Sequence, residues 1–300
     1  MRRLALFLIT LLTAATLLAR GRHSSDMTVN FDDDDLRSCD DVQVLFDGER
    51  ARVDAQQINI GNPRALKVRT DRNGGVFVIG GASAWSAQAC RASALRGGSD
   101  IKISYNGDVL SADGPDEGNQ WVVYFIVHAP RGASLDLETH NGQICLRDVD
   151  GNVTARVHNG PLSLKNAGGT IDASSHNGPI SFEGADSGRV KLAAINGPLT
   201  VKLSGSSWTG SLDASTKNGP LSVRVPRSYR SGVVVESNGH GPISCRAAGC
   251  GDRRNLEADD DDDDDDNYDW NRPRRFQFGS GTANVHLSTE NGPLSVKNAD

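Results

Sequence analysis

The chain has 300 residues, a formal charge of −6, 33 glycines and only 5% aromatic residues. That length suits one or two domains, and the composition excludes a broad aromatic core in favour of a thin, layered one built from Val, Leu, Ile and Ala. The negative sign has a single source, because the eight consecutive aspartates Asp259–Asp266 outweigh it and leave the remainder slightly basic.

At the N-terminus, Arg2 and Arg3 precede an apolar run from Leu4 to Leu18, followed by Ala19. A run of about 15 residues suits a signal-peptide core and falls short of the ~20 that a membrane span needs. Residues 1–20 are therefore expected to be a signal peptide, with retention as an N-terminal anchor as the alternative. No cysteine follows the run before Cys39, which argues against a lipoprotein. Beyond residue 20 no stretch is apolar enough to cross a bilayer. The expected location is exported: periplasmic, cell-surface or secreted.

Residues 21–38 read as a linker, with the acidic block Asp32–Asp35. Residues 39–130 read as a β-rich region of irregular pattern. Within it "RALKVRTDRNGGVFVIGG" resembles a stretched repeat around Asn73-Gly74. "DIKISYNGDVLSADG" has Asn106-Gly107 with no proline behind it, which predicts a hairpin. "QWVVYFIVHAP" is apolar on both faces and predicts a buried strand leading into the regular part. Five cysteines fit an oxidising compartment. Cys39 with Cys90, and Cys245 with Cys250, are the two pairings considered, although spacing alone does not fix connectivity; they would leave Cys145 over.

Residues 131–300 are repetitive. Asn-Gly recurs at Asn141, Asn159, Asn177, Asn196, Asn218, Asn238 and Asn291, with the first five intervals 18, 18, 19, 22 and 20 residues. A fixed period of this size marks one supersecondary unit stacked many times. Apolar residues alternate on both sides of each Asn, as in Ile171 and Ala173 before Asn177 and Ile180 and Phe182 after it. Each repeat is thus two short strands with one buried face each. Asn-Gly normally announces a two-residue hairpin, in which the following residue donates its N–H to close the turn. Pro161, Pro179, Pro198, Pro220 and Pro293 follow Asn-Gly directly and have no N–H to give. The expectation is a corner in place of a hairpin, and an all-β β-solenoid of stacked two-strand repeats of about 18–22 residues. An antiparallel meander is the alternative. The sixth unit, "VVVESNGHGPISC", puts His240 in the Asn place and predicts a bulge. The acidic stretch at about 251–274 predicts a solvated loop thrown out of the coil.

"WVVYFIVHAPRGASLDLETHNGQICL", the repeated "NGPLSV" units and the ending "GTANVHLSTENGPLSVKN" resemble the bacterial putative-adhesin family, exported β-solenoid proteins of unknown function. The resemblance covers roughly residues 40–300. It implies a β-solenoid and an envelope location, and it brings no catalytic residues with it.

Stacking would align equivalent residues in columns ~4.8 Å apart. Six places after the Asn stand Arg147, Lys165, Glu183, Lys202, Arg224 and Lys297, and Arg246 holds the same place relative to its own corner. They share a face with Ser163, Ser181, Thr200 and Ser222. This predicts a basic, hydroxyl-rich strip some 30 Å long that suits an anionic polysaccharide, or simply keeps a sheet surface soluble. The eight-Asp run is a candidate internal competitor for it. His140, His158 and His176 directly precede Asn-Gly on three successive units, and imidazoles so placed can share a divalent transition metal or titrate together near pH 6; exposed turn residues are the plain alternative.

No nucleophile elbow, His-Glu-x-x-His, phosphate loop or zinc-type cysteine pairing occurs. Asp136, Asp172 and Asp213 line the other sheet and are the raw material for the alternative of a glycan-active β-helix enzyme. The leading reading is an exported envelope binding or structural module without catalysis, cofactor or nucleic-acid partner. A ligand-free architectural protein is the remaining alternative. Because the sequence stops at Asp300 just after a strand, the last repeat is expected to be an open edge, available for self-association or for another envelope protein.

Overall fold

In the computed structural model, the residues described are 26–30, 36–94, 98–115, 120–184, 187–238, 241–248, 250, 254–255 and 274–299. The expected signal peptide, the Asp32–Asp35 block, the bulge at His240 and the eight-Asp run lie outside them. The strands are, in order, β1 (Met27–Asn30), β2 (Gln43–Phe46), β3 (Glu49–Arg50), β4 (Asp54–Ile58), β5 (Leu66–Ala82), β6 (Ser86–Ser93), β7 (Lys102–Asn106), β8 (Val109–Asp113) and β9 (Trp121–Pro130). Five long–short pairs follow: β10 (Ser134–Asn141) with β11 (Ile144–Arg147), β12 (Asp150–Asn159) with β13 (Leu162–Lys165), β14 (Gly168–Asn177) with β15 (Ile180–Gly184), β16 (Ser187–Asn196) with β17 (Leu199–Leu203), and β18 (Thr209–Asn218) with β19 (Leu221–Val225). The chain ends with β20 (Gly232–Ser237), β21 (Ile243–Cys245), β22 (Arg254–Asn255), β23 (Arg274–Phe278), β24 (Ala283–Asn291) and β25 (Leu294–Asn298).

The protein is all-β. No strand of the five pairs ladders onto its own partner. Each long strand pairs in parallel with the next long strand, β10–β12–β14–β16–β18, and each short strand with the next short one, β11–β13–β15–β17–β19. The prolines explain this locally. Leu162, Ile180, Leu199 and Leu221 donate instead to the carbonyls of Pro179, Pro198, Pro220 and Pro293 on the neighbouring unit. The corner needs no proton from the imino nitrogen, so proline fits there and a hairpin does not. Without proline either outcome occurs: Asn141-Gly142-Gln143 still makes a corner, whereas Asn106-Gly107 folds back. β7 and β8 are antiparallel through a two-residue turn with Gly107 at φ 56° and Asp108 at φ 63°, the conformation a tight hairpin demands.

Between the two ladders lies the core. Each unit contributes two inward residues per strand, for example Leu135 and Leu137 with Ile144 and Leu146, all at most 3% exposed. Large and small side chains mix within one column, Leu137, Ala155, Ala173, Leu192 and Ala214, and the ring of Phe182 meets Trp208 edge-on at 6.1 Å. β5 passes through both ladders: its first half pairs with β10 and its second with β11. β9 is the buried strand expected, but it pairs with β5 in parallel and β6 antiparallel, on the far side of β5 from β10 and β11.

Two placements correct the sequence reading. First, the last pair is no open edge. β24 lies between β18 and β20, and β25 between β19 and β21. The chain completes its sixth unit, then returns and inserts its last one between the fifth and the sixth. Second, the N-terminal sheet β1–β2–β3 covers the outer face of the first units. Leu36, Cys39, Val42, Val44 and Phe46 pack against Phe77, Tyr124, Ile126 and Cys145.

The structure joins Cys39 to Cys90, fastening this cover to β6, and Cys245 to Cys250 beyond β21; Cys145 is buried in the covered cluster. Tyr229, also buried, has its phenol pushed up to about 12 by desolvation, from an ordinary 10.0. Between those values the unfolded chain releases this proton first. Stability is therefore untouched below pH 10 and falls as pH rises towards 12. Thermal unfolding in that window should steepen with pH in the wild type and flatten in Tyr229→Phe.

Candidate functional site

The Asn-Gly corners form a continuous amide ladder that the hairpin reading of Asn-Gly hides. Asn141 donates to Asn73 (3.4 Å), Asn159 to Asn141, Asn177 to Asn159, Asn196 to Asn177 and Asn218 to Asn196 (each 2.9 Å), and Asn291 to Asn218 (3.1 Å). Just inside, hydroxyls brace the corner carbonyls: Thr139 donates to Gly142 (3.1 Å) and Thr216 to Gly197 (3.1 Å). The signal was present in the sequence as an Asn recurring every 18 to 22 residues from Asn141 to Asn238. Removing one amide at Asn177 breaks two ladder bonds, so N177A should cost about 1–2 kcal/mol. N177D keeps an acceptor but aims a carboxylate at the Asn159 oxygen; its loss should exceed that of N177A at pH 7 and shrink at about pH 3, below the ordinary carboxylate pKa of ~3.9. Thermal unfolding at both pH values reads this out.

On the outer face of the short ladder the hydroxyl column runs Ser163, Ser181, Thr200, Ser222, Ser295 and, beyond it, Ser244. The charged column beside it runs Lys165, Glu183, Lys202, Arg224 and Lys297 in register, with Arg246 donating its backbone N–H to Val296 next to Lys297. Arg147 belongs to the column by register but not by access. It is half-buried and donates to the Leu36 carbonyl at 3.3 Å, beneath the N-terminal cover. Glu183 interrupts the column and holds Lys202 at 2.9 Å. The strip is thus about 24 Å long at ~4.8 Å per strand.

Insertion of β25 changes the order within it. In sequence Arg246 precedes Lys297; in space the run is Lys202, Arg224, Lys297, Arg246 on four neighbouring strands. Arg224, Lys297 and Arg246 are exposed. Like charges at this spacing repel by about 0.9 kcal/mol per pair even in water, a cost that a bound polyanion removes.

The imidazoles of His140, His158 and His176 stand in a stack, with centroids 4.7 and 4.9 Å apart and planes within 10° and 14°. Parallel rings at this spacing keep equivalent nitrogens further apart than the ~4.2 Å reach of two zinc–nitrogen bonds. As stacked, the three rings do not share a metal, and among the described residues no group of three His, Cys, Asp or Glu side chains converges on one. The column ends at Ile195, an exposed apolar residue in the same place on β16.

The carboxylates on the long ladder are ion-paired or spaced apart. Asp136 takes Arg69 at 2.7 Å and faces Arg156 at 3.7 Å. Thr154 stands between Asp136 and Asp172, and Lys191 between Asp172 and Asp213. One strand stands between each pair of carboxylates, so they lie two strand spacings apart, about 9.6 Å, just past the ~5–9.5 Å of glycosidase acid pairs. Asp213 faces His286 at 3.7 Å, and His286 reaches Glu236 at 3.3 Å. Two shallow grooves of about 290 and 280 Å³ lie on this face, and Arg156 lines both.

The sequence matches no protein-family model and no curated protein. Solved structures similar to the chain include a "putative cell adhesion protein" from Clostridium sporogenes, 11% identical over 83% of this chain and 100% of that one, with a TM-score of 0.29. A "putative adhesin" from Bacteroides fragilis is 11% identical over 83% and 97%, with a TM-score of 0.33. A superposition this partial fixes neither fold nor function. Among the described residues no helix is long and apolar enough to cross a membrane.

Proposed function

We propose that the chain is an exported cell-envelope binding module, adhesin-like and non-catalytic, whose two ladders form a β-solenoid and whose short-ladder face holds an anionic polysaccharide. The observation that carries this is the uninterrupted cation run Lys202–Arg224–Lys297–Arg246 beside the hydroxyl column Thr200–Ser222–Ser295–Ser244. Regular positive charge with hydroxyl donors alongside matches a polymer that repeats carboxylate or sulfate groups and sugar hydroxyls. The spacing and pairing of the long-ladder carboxylates give a glycan-cleaving reading no such support.

Heparin is a suitable probe. The full chain should bind it with an affinity that falls steeply with salt, because exposed charges are screened within about 8 Å at physiological ionic strength. Arg224→Glu with Lys297→Glu should weaken binding by a hundredfold or more while leaving thermal unfolding close to wild type. Deleting Asp259–Asp266 should tighten binding by removing an internal competitor. Salt-independent binding, or equal affinity in the charge-reversed variant, would sink the proposal.

A further inference from the structure

The last unit occupies a slot, and everything it touches there is shared by all copies of the chain. β24 and β25 fill the gap between β18/β19 and β20/β21. The contacts are backbone ladders, the Asn218–Asn291 amide bond at 3.1 Å, the Ser222–Ser295 hydroxyl contact at 3.4 Å, and His286 facing both Asp213 and Glu236 across the slot. Residue for residue, "NGPLSV" at Asn291–Val296 repeats Asn218–Val223. None of these contacts distinguishes its own C-terminal segment from that of another molecule.

The connection does not enforce the choice either. β23 joins β24 through residues 279–282 only, so β23, β24 and β25 travel as one segment that grips β20 on both sides. Behind it, β22 ladders onto β23, and residues 256–273 separate the two; a stretch of that length reaches at most about 60 Å. The slot is also open at the critical moment. β20 and β21 precede the segment in the chain, so they must wait undocked, or open again, for it to enter between them and the fifth unit.

We infer that this slot accepts the segment 274–299 from a second copy of the chain, giving a reciprocal, segment-exchanged dimer in which each molecule completes the other's ladders. Such exchange reuses native contacts, so the dimer differs from the monomer mainly in connectivity. It becomes favoured when chains fold at high local concentration, because intramolecular capture across a long connection has only a modest effective concentration. The dimer would carry two cation strips on one particle. The inference rests on strand order alone and stands whether or not the strip binds a glycan.

Two single variants, Ser222→Cys and Ser295→Cys, carrying different affinity tags, test it. They are denatured together, refolded at a range of concentrations, and oxidised with glutathione disulfide. The expected result is a disulfide joining the two tags, mapped by mass spectrometry to positions 222 and 295, with a yield rising at least tenfold between 1 and 100 μM. The double variant S222C/S295C controls geometry and should close within one chain at low concentration. Mixing two tagged forms of Ser222→Cys should give no joined product. Unaltered chain refolded at 100 μM should also give a dimer on size exclusion that survives dilution. Closure of the double variant within one chain, with no 222–295 product between tags and no diluted dimer at any concentration, would overturn the inference.

Discussion

Gly178→Ala is expected to destabilise the protein by about 3 kcal/mol or more, or to prevent folding. Gly178 has φ +152°, a conformation that L side chains rarely adopt, and a Cβ there would run into the backbone carbonyl of Gly160 on the neighbouring unit. Two costs therefore add: conformational strain of about 1–3 kcal/mol, and overpacking of similar size. Neither is easily relieved, because the colliding atom belongs to a backbone held in two parallel ladders. Gly160 hydrogen-bonds Asn177 and carries Leu162, both fixed by the next unit. Moving it would stretch the corner hydrogen bonds and part Asn159 from Asn177. Denaturant unfolding followed by circular dichroism measures the loss. A change below 1 kcal/mol would show that the corners are much looser than their close backbone contacts imply. Pro179→Ala next door is the informative control and should be mild, because proline there is exposed and its role is to forbid the alternative hairpin.

Truncation after Gly279 should have the second large effect, and a local one. The shortened chain lacks β24 and β25, and with them Val285, Leu287, Leu294 and Val296, all buried. At ~1.5–3 kcal/mol for each buried aliphatic side chain, the lost burial is comparable with the whole stability of a typical domain. Stacked repeats, however, spread stability by nearest-neighbour contact. Units one to five should therefore persist, while β20, β21 and β23 lose their attachment. Limited proteolysis should cut the truncated chain between residues 226 and 246, where the full chain resists, and the newly open edges of β18 and β19 should promote aggregation. If residues 226–246 stay protected, the sixth unit can stack directly on the fifth. The inserted position of the C-terminal unit would then be a matter of preference rather than of need.

Several features were legible before any coordinates. The all-β character, the two-strand unit and its inward residues follow from period-two alternation, which a strand converts directly into two faces. The corner in place of a hairpin follows from five imino nitrogens that cannot donate. The hairpin after Asn106 is permitted by their absence there, although the corner at Asn141-Gly142-Gln143 shows that a missing proline does not by itself make one. These are local properties, written in a few adjacent residues and independent of what packs alongside. The asparagine column was equally visible as a spacing. Its role as an amide ladder was not, because Asn-Gly carries a strong local turn meaning that conceals a contact made 18 to 73 residues away.

What the chain alone left open is which unit stacks on which. Every unit offers nearly the same edge, the same Leu-and-Val core face and the same amide at its corner, so local chemistry assigns no neighbour. Only the three-dimensional arrangement puts the last unit between the fifth and sixth, draws Lys297 between Arg224 and Arg246, and lays an N-terminal sheet over Cys145 and Arg147. The cause is degeneracy. A repeated sequence specifies how to stack, and the order of stacking is decided by long-range closure, through β23 gripping β20 and the Cys39–Cys90 link holding the cover in place.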